Sequence, residues 1–221
     1  ISGSGGISSV LDLMPSLELA IVGEPTGMQP AVAERGLMVI DAVATGTGGH
    51  AAVHRGENAI YRAMEDIMKL QKITFERPSR WLASPSVSVT MISGGTQHNV
   101  VPDRCAFVID VRSNDVYGNE ELLGMLRENC TAELVPRSLR LRSSSLPANH
   151  FAHDVFNEMG LNPFGSSTLS DMALLDFPAV KIGPGDSSRS HSPGEYILSD
   201  EIEQAIDTYV ILIRKLLKRM S

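Results

Sequence analysis

The sequence has no apolar run near the ~20 residues that a bilayer-spanning helix needs, so nothing in it reads as a membrane protein. It also lacks a basic face: its net charge is −7, and the only near-clusters of cations are Arg214-Lys215 and Lys218-Arg219. Nucleic-acid binding requires a positive surface to neutralise phosphates, so that class of partner is excluded. Cysteine is scarce, at two residues, and Cys105 and Cys130 sit in neither zinc nor redox spacing. A small secreted scaffold would carry more, and two free thiols are expected. No Gly-x-Ser-x-Gly elbow, no glycine loop followed by Gly-Lys-Ser/Thr and no strand-to-helix dinucleotide fingerprint is present, which removes the usual serine-hydrolase and phosphate-binding signatures. The opening residues Ile1-Ser2-Gly3-Ser4-Gly5-Gly6 show neither the basic nor the apolar part of a signal peptide, and a cytoplasmic protein is expected. They include no starting Met, which leads us to expect a piece of a longer protein.

What remains is the composition of a globular protein, 43% hydrophobic and 20% charged over 221 residues, enough for one large domain or two small ones. Residues 19–22 form a short apolar run ending at Gly23-Glu24-Pro25-Thr26-Gly27, a strand followed by a turn-rich loop. From Gly36 the pattern changes. Residues 37–44 read as a strand and 58–70 as a helix with Ile60, Met64 and Ile67 on one face. Val87, Val89 and Met91 alternate with Ser and Thr, and Cys105, Phe107, Ile109 and Val111 repeat the period of two. Asn119 is placed to cap a helix carrying Leu122, Leu123 and Leu126, and residues 134–142 close the series as a strand.

The order β-α-β-β-α-β is the ferredoxin-like unit, a four-stranded antiparallel sheet with two helices on one face. The flanks supply too little for a domain each. A final helix capped at Ser199, with a stripe of Ile202, Ile206, Tyr209, Ile213 and Leu216, must pack on a sheet that the flanks build together. The fold expected is therefore α/β: a catalytic-type domain from residues 1–34 and 144–221, interrupted by an inserted ferredoxin-like domain over residues 35–143.

Several residues have the chemistry of a site. Glu24 is held between Gly23 and Pro25 at a strand end, so its carboxylate can serve as a hard oxygen ligand, although a lone loop Glu is more often a solvated surface residue. His191, in Arg189-Ser190-His191-Ser192-Pro193-Gly194-Glu195, follows the loop Gly183-Pro184-Gly185 and can bind a metal through one ring nitrogen; a loop His is also commonly just a surface group. His50 follows the glycines of Thr47-Gly48-Gly49, which permit close approach to a ligand. Asn99 ends Gly94-Gly95-Thr96-Gln97-His98-Asn99 with an amide able to donate. Asp110 and Arg112 share a strand face, and Arg112 suits either a cross-strand ion pair or bidentate capture of a substrate carboxylate. Ser170-Asp171 suits a helix cap first and a substrate contact second.

Taken in order, Gly23-Glu24-Pro25-Thr26, Gly49-His50, residues 95–103, Asp110-Val111-Arg112, Ser170-Asp171, Gly183-Pro184-Gly185 and residues 190–196 resemble one family. It is the zinc amidohydrolases that include acetylornithine deacetylase, succinyl-diaminopimelate desuccinylase, aminoacylase and carboxypeptidase. Residues 168–171 with 181–191 are most similar to acetylornithine deacetylase-like members, those acting on succinylated ornithine included, which implies a place in amino-acid, and specifically arginine, biosynthesis.

The resemblance implies two zinc ions, with cobalt as a possible substitute, and a metal-activated water that attacks the amide of an N-acyl amino acid. It implies Glu24 and His191 as ligands of different ions and His50 as the donor to the oxyanion of a neighbouring active site across a homodimer. Asn99, Arg112, Ser170 and Gly183 are implied as substrate-binding positions, Arg112 for the α-carboxylate. The family carries its remaining ligands and the general base on a His-x-Asp motif and on a Glu-Glu pair ahead of the Glu24 position; no His-x-Asp occurs in these 221 residues and no Glu-Glu precedes Glu24. The chain alone is therefore expected to be inert and to hold zinc weakly. Two other expectations stand beside this one: a dimerisation or interaction module with vestigial flanks, and a zinc dipeptidase or carboxypeptidase of the same family.

Overall fold

The computed structural model describes residues 6–53, 56–190 and 192–220. Eleven strands are formed among them: β1 (Ala20–Val22), β2 (Ala31–Glu34), β3 (Met38–Thr45), β4 (Gly49–His50), β5 (Ser86–Gly94), β6 (Val100–Val101), β7 (Arg104–Arg112), β8 (Glu133–Pro136), β9 (Ser144–Ser145), β10 (Phe164–Ser166) and β11 (Ala179–Lys181). The α-helices are α1 (Ala59–Leu70), α2 (Asn119–Asn129), α3 (Ala152–Glu158) and α4 (Ser199–Met220). The chain divides into two compact units. One holds the residues up to Arg35, Arg80–Leu82 and those from Ser144 onward; the other holds Gly36–Ser79 and Ala83–Ser143.

In the second unit the sheet order is β5-β7-β3-β8 with every neighbour antiparallel, the topology of a ferredoxin-like unit. Alternation explains its core: Met38, Ile40, Ala42 and Ala44 from β3 and Cys105, Phe107, Ile109 and Val111 from β7 all point the same way. They pack on Ala59, Ala63 and Leu70 of α1 and Leu122, Leu123 and Leu126 of α2.

Four local expectations need correction in this unit. Met64 is half exposed, because α1 turns Ala59, Ala63, Asp66 and Leu70 inward instead. Asp66 sets that rotation: one oxygen accepts from Thr131 N (3.0 Å), Thr131 Oγ1 (3.0 Å) and Ala132 N (2.8 Å), tying the helix to the start of β8. Met91 is exposed because a bulge at Thr90 shifts the β5 register, ending the period of two after Val89. Asn119 caps nothing; its buried amide accepts from Ser113 Oγ (2.7 Å) and donates to the carbonyls of Leu139 (3.1 Å) and Leu141 (3.0 Å). The last strand is regular only to Pro136; beyond it Arg137 N still donates to Val39 O (2.8 Å) and Leu141 O accepts from Leu37 N (2.9 Å), so residues 137–142 follow β3 irregularly while Asn119 holds the Leu139 and Leu141 carbonyls.

In the first unit the two flanks share one sheet, ordered β1-β11-β2-β10 with β9 on β2. β1 runs parallel to β11 and β10 parallel to β2, while β11 and β2 are antiparallel. Val32, Val180 and Ile182 pack under Val155, Phe156, Leu212 and Leu216 of α3 and α4. The buried face of α4 is Ala205, Leu212 and Leu216 with Tyr209 partly covered, whereas Ile202, Ile206 and Ile213 are exposed. Its rotation is set by polar ties: Tyr209 donates to the Ile182 carbonyl, and Lys215 and Arg219 pair with Glu158 of α3. Among the described residues no helix is long and apolar enough to cross a membrane.

Both cysteines are free. Burial pushes the Cys105 thiol above its ordinary value, and burial with the Asp66 carboxylate nearby pushes Cys130 up to about 11. The thiolate is the reactive form, so a disulfide reagent at neutral pH should label neither cysteine in the native chain and both in denaturant. Rapid native labelling of Cys130 would contradict that burial.

Candidate functional site

Glu24 follows the carboxyl end of β1, and Gly183 follows the carboxyl end of β11, the parallel neighbour, so both loops emerge from the same end of the sheet. They are stitched together. Gly183 O accepts from Thr26 N (3.1 Å) and Met28 N (3.0 Å), Gly183 N donates to Thr26 Oγ1 (3.1 Å), and Gly27 N donates to Gly185 O (2.8 Å). A Cβ at Gly183 would sit 2.5 Å from the Glu24 carbonyl oxygen, so only glycine allows this approach. Both polar groups of Gly183 thus have partners inside the chain, and a substrate contact there would have to break one.

Beside Glu24 lies an open cavity of about 360 Å³ lined by Pro25, Gly185, Asp186, Arg189, Glu195 and Tyr196 among others. Arg189 stacks on the Tyr196 ring at 4.7 Å and donates to Glu201 at 2.8 Å. The Leu198 N–H and then Arg189 hold Glu201 below the usual carboxylate range, and the Ser188 N–H does the same for Asp186. A depressed carboxyl pKa contributes stability that is present above its unfolded value and lost as pH falls through the folded one. The wall of this cavity should therefore loosen on acidification below the ordinary glutamate range, and Glu201→Gln should blunt that response in a pH series of amide exchange. An unchanged acid response in the variant would count against it.

His191 lies outside the described residues. Among the described residues no three His, Cys, Asp or Glu side chains gather closely enough to hold a metal ion. Glu24 is thus a half-buried carboxylate that belongs to no such group of three among the described residues.

Ser170 is fully buried. It caps the short 3₁₀ turn Asp171–Leu174 by accepting from Met172 N (3.3 Å), and its hydroxyl donates to Glu34 Oε2 at 2.6 Å. Capping, the first of its two expected roles, is what it does, and its only hydroxyl proton is already committed.

In the second unit two expected site residues are brought together. β4 pairs with β6, setting His50 opposite Val100, and Ala51 N donates to Asn99 O at 2.9 Å. His50 is exposed, and its Nδ1 accepts from Ala52 N (3.2 Å), so the neutral ring carries its proton on Nε2 and is a donor there. Arg112 is held by its strand neighbour Asp110, through Nε to Oδ1 (2.7 Å) and Nη2 to Oδ2 (3.1 Å). The ion pair expected across strands is therefore formed along one strand. Inspection of the sequence missed the buried pair Glu34 and Lys181, 3.3 Å apart; its signal was a charge at the end of Ala31-Val32-Ala33 and another inside Val180-Lys181-Ile182.

Residues 32–138 match the peptidase dimerisation domain of the M20 family. The chain is 29% identical to an acetylornithine deacetylase of Myxococcus xanthus over 83% of this chain and 53% of that protein. Its fold is that of aminopeptidase PepT from Bacillus cereus, with TM-score 0.75 at 19% identity over 96% of this chain and 61% of that one. It is also that of a Bacillus subtilis peptidase described as a dinuclear metal-binding member of the M20 family, with TM-score 0.67 at 17% identity over 97% and 62%. The chain thus spans between about half and three-fifths of the length of these proteins. Residues 32–138 are thus similar to the M20 peptidase dimerisation domain, and the fold is that of peptidase structures, one of them described as an M20 member.

Proposed function

We propose that these residues are part of a metal-dependent hydrolase that cleaves the amide of an N-acyl amino acid of the N-acetyl- or N-succinyl-ornithine class. The observation that carries this is the seat of Glu24, a carboxylate fixed at the carboxyl end of a parallel strand by the closely packed Gly183 loop, where α/β sheets place their chemistry. The Myxococcus relative's name supports the substrate class.

Glu24 and His191 are proposed as ligands of two different zinc ions, replaceable by cobalt. A zinc site takes about three or four protein ligands, and the described residues on their own do not make one. When bound, such a metal would acidify water and polarise a carbonyl. The chain's own residues supply the rest: His50 donates from Nε2 to the oxyanion, Asn99 donates its amide to substrate, and Arg112, its plane held by Asp110, pairs with the α-carboxylate. Ser170 and Gly183 shape the site through the loops they hold. The proposed domains are residues 1–34 with 144–221 for catalysis and 35–143 as the insertion.

By themselves the 221 residues are proposed to be inert, since the donor set is short and no general base is assigned. The test is hydrolysis of N-acetyl- and N-succinyl-L-ornithine. The whole gene product should release free ornithine until a chelator is added, and this chain alone should not; release by the chain alone would contradict its inertness, and a whole gene product that leaves both intact would sink the substrate class.

The insertion is further proposed to form a homodimer. β5 and β8 are the unpaired edges of its sheet, and α1 exposes Tyr61, Met64 and Met68 at helical spacing. Sedimentation should show a dimer, and a monomer at high concentration would count against it. A second reading, a dimerisation module with vestigial flanks, draws on the family match being confined to residues 32–138; metal-free, inactive whole gene product would favour it. A dipeptidase or carboxypeptidase activity draws on the peptidase neighbours, and assay with dipeptides separates it.

A further inference from the structure

A helix-to-strand connection within an α/β unit takes about 2–6 residues. The one from α1 to β5 runs over residues 71–85 and forms neither helix nor strand on the way. The extra length makes a detour. Arg80–Leu82 pack in the first unit, although the residues on both sides of them, Gly36–Ser79 and Ala83–Ser143, make up the second.

The seat fits this segment closely. Leu82 is buried, and Trp81, the only tryptophan in the sequence, packs against the core that includes Val155 and Phe156 of α3. The Trp81 and His153 rings are parallel within 3°, with centroids 6.3 Å apart, and the Arg80 guanidinium stands 4.7 Å from the centre of the indole. On β10, a Cβ at Gly165 would lie 2.6 Å from the Trp81 carbonyl carbon and 3.0 Å from Leu82 Cδ2, so only glycine lets the segment lie against that strand.

Both ends of the detour are pinned in the second unit. Arg77 donates its N–H to Tyr117 Oη (3.0 Å), holds its guanidinium 4.0 Å from the centre of that ring and pairs with Glu121 of α2. Ala83 O accepts from Asn114 Nδ2 (3.2 Å), and buried Asn114 is fixed in turn by the N–H groups of Val116 and Tyr117. Leu82 is bonded directly to Ala83, and Pro78 and Ser79 alone separate Arg77 from Arg80, with φ of Pro78 set by its ring. The segment therefore cannot follow a movement without leaving its seat or its pins.

We propose that Arg80–Leu82 is a staple that restrains the inserted unit, a third tie beside the two chain crossings at residues 35–36 and 143–144. With Trp81 and Leu82 seated, the inserted unit does not swing on those crossings; with them unseated it does. The staple is independent of the hydrolase reading.

The test frees the segment in two ways. Gly165→Val pushes it off β10, and Trp81→Ser with Leu82→Ser removes its anchors. Nitroxides are attached at Lys72→Cys and Asp207→Cys, one exposed position in each unit, while the native Cys105 and Cys130, with their raised pKa values, stay unlabelled. Pulsed electron resonance reads the label-to-label distance in the 221-residue chain diluted with unlabelled chain. The parent should give one narrow distance. In both variants the amides of residues 80–84 should exchange at least about tenfold faster while those of β11 and α2 keep the parent's rates. The distance distribution should widen at least about twofold, and in Gly165→Val acrylamide should quench Trp81 more strongly. A broad distribution in the parent overturns the proposal, as does an unchanged width once residues 80–84 exchange freely. Protection of residues 80–84 that survives both variants overturns Trp81 and Leu82 as anchors, and the staple with them. If one variant fails to fold the other decides. Loss of the first unit's fold in both overturns the proposal too, because the segment is then core and not a tie.

Discussion

Lys181→Met is expected to lower the unfolding free energy by about 3–5 kcal/mol, because it leaves the Glu34 carboxylate buried with its charge partner gone. The magnitude follows from burial. Glu34 cannot reach water without opening the sheet, since Ala31, Val32 and Ala33 beside it are also fully covered. Ser170 would still donate two hydrogen bonds to Glu34, but neutral donors do not replace an ammonium. The contrast lies on α4: Lys215 pairs with Glu158 where both side chains are 40% exposed, and Lys215→Met should change stability little because water takes over from the lost partner. Urea denaturation of the two variants compares them directly. Equal losses would mean that burial does not set the value of the 34–181 pair.

His50→Ala should leave folding untouched and reduce kcat of the whole gene product by a factor on the order of 10²–10³, the range for removing one oxyanion donor. Folding is spared because the side chain is exposed and packs in no core. The loss is catalytic because Nδ1 is committed to Ala52 N and leaves Nε2–H as the donor. His50→Gln keeps a donor of similar reach and should recover part of the loss. A His50→Ala enzyme with parental kcat would remove His50 from the proposed mechanism.

How much of this was legible beforehand depends on which periodicity an element shows. β7 was plain because one face of it is buried and the other is not, so Cys105, Phe107, Ile109 and Val111 alternate with exposed or half-exposed neighbours. β2 was invisible: all four residues of Ala31–Glu34 are buried, and a strand covered on both faces has no alternation to read. The true face of α4 was hidden for a different reason. Bulky Ile202, Ile206 and Ile213 dominate any hydrophobic pattern, yet small Ala205 and the polar ties of Tyr209, Lys215 and Arg219 decide which side turns inward.

At the site, Glu24 was legible from Gly23 and Pro25, because stiff neighbours are a local signal. The stitching of its loop to Gly183 was not, since it depends on the parallel pairing of β1 with β11 across most of the chain. The same holds for His50 and Asn99, joined by a ribbon of two residues per strand that is too short to leave a pattern. Ser170 was readable as a cap from its place before Asp171, but its bond to Glu34 depends on a strand that no periodicity disclosed.

The central claim is that Glu24 binds metal in the whole gene product. The most direct test is the zinc content of that protein with Glu24→Ala, measured beside the parent on material shown to have the same oligomeric state. The parent should carry two zinc ions per chain and the variant one, because Glu24 and His191 are assigned to different ions. Two zinc ions retained in the variant would contradict the assignment of Glu24 as a ligand.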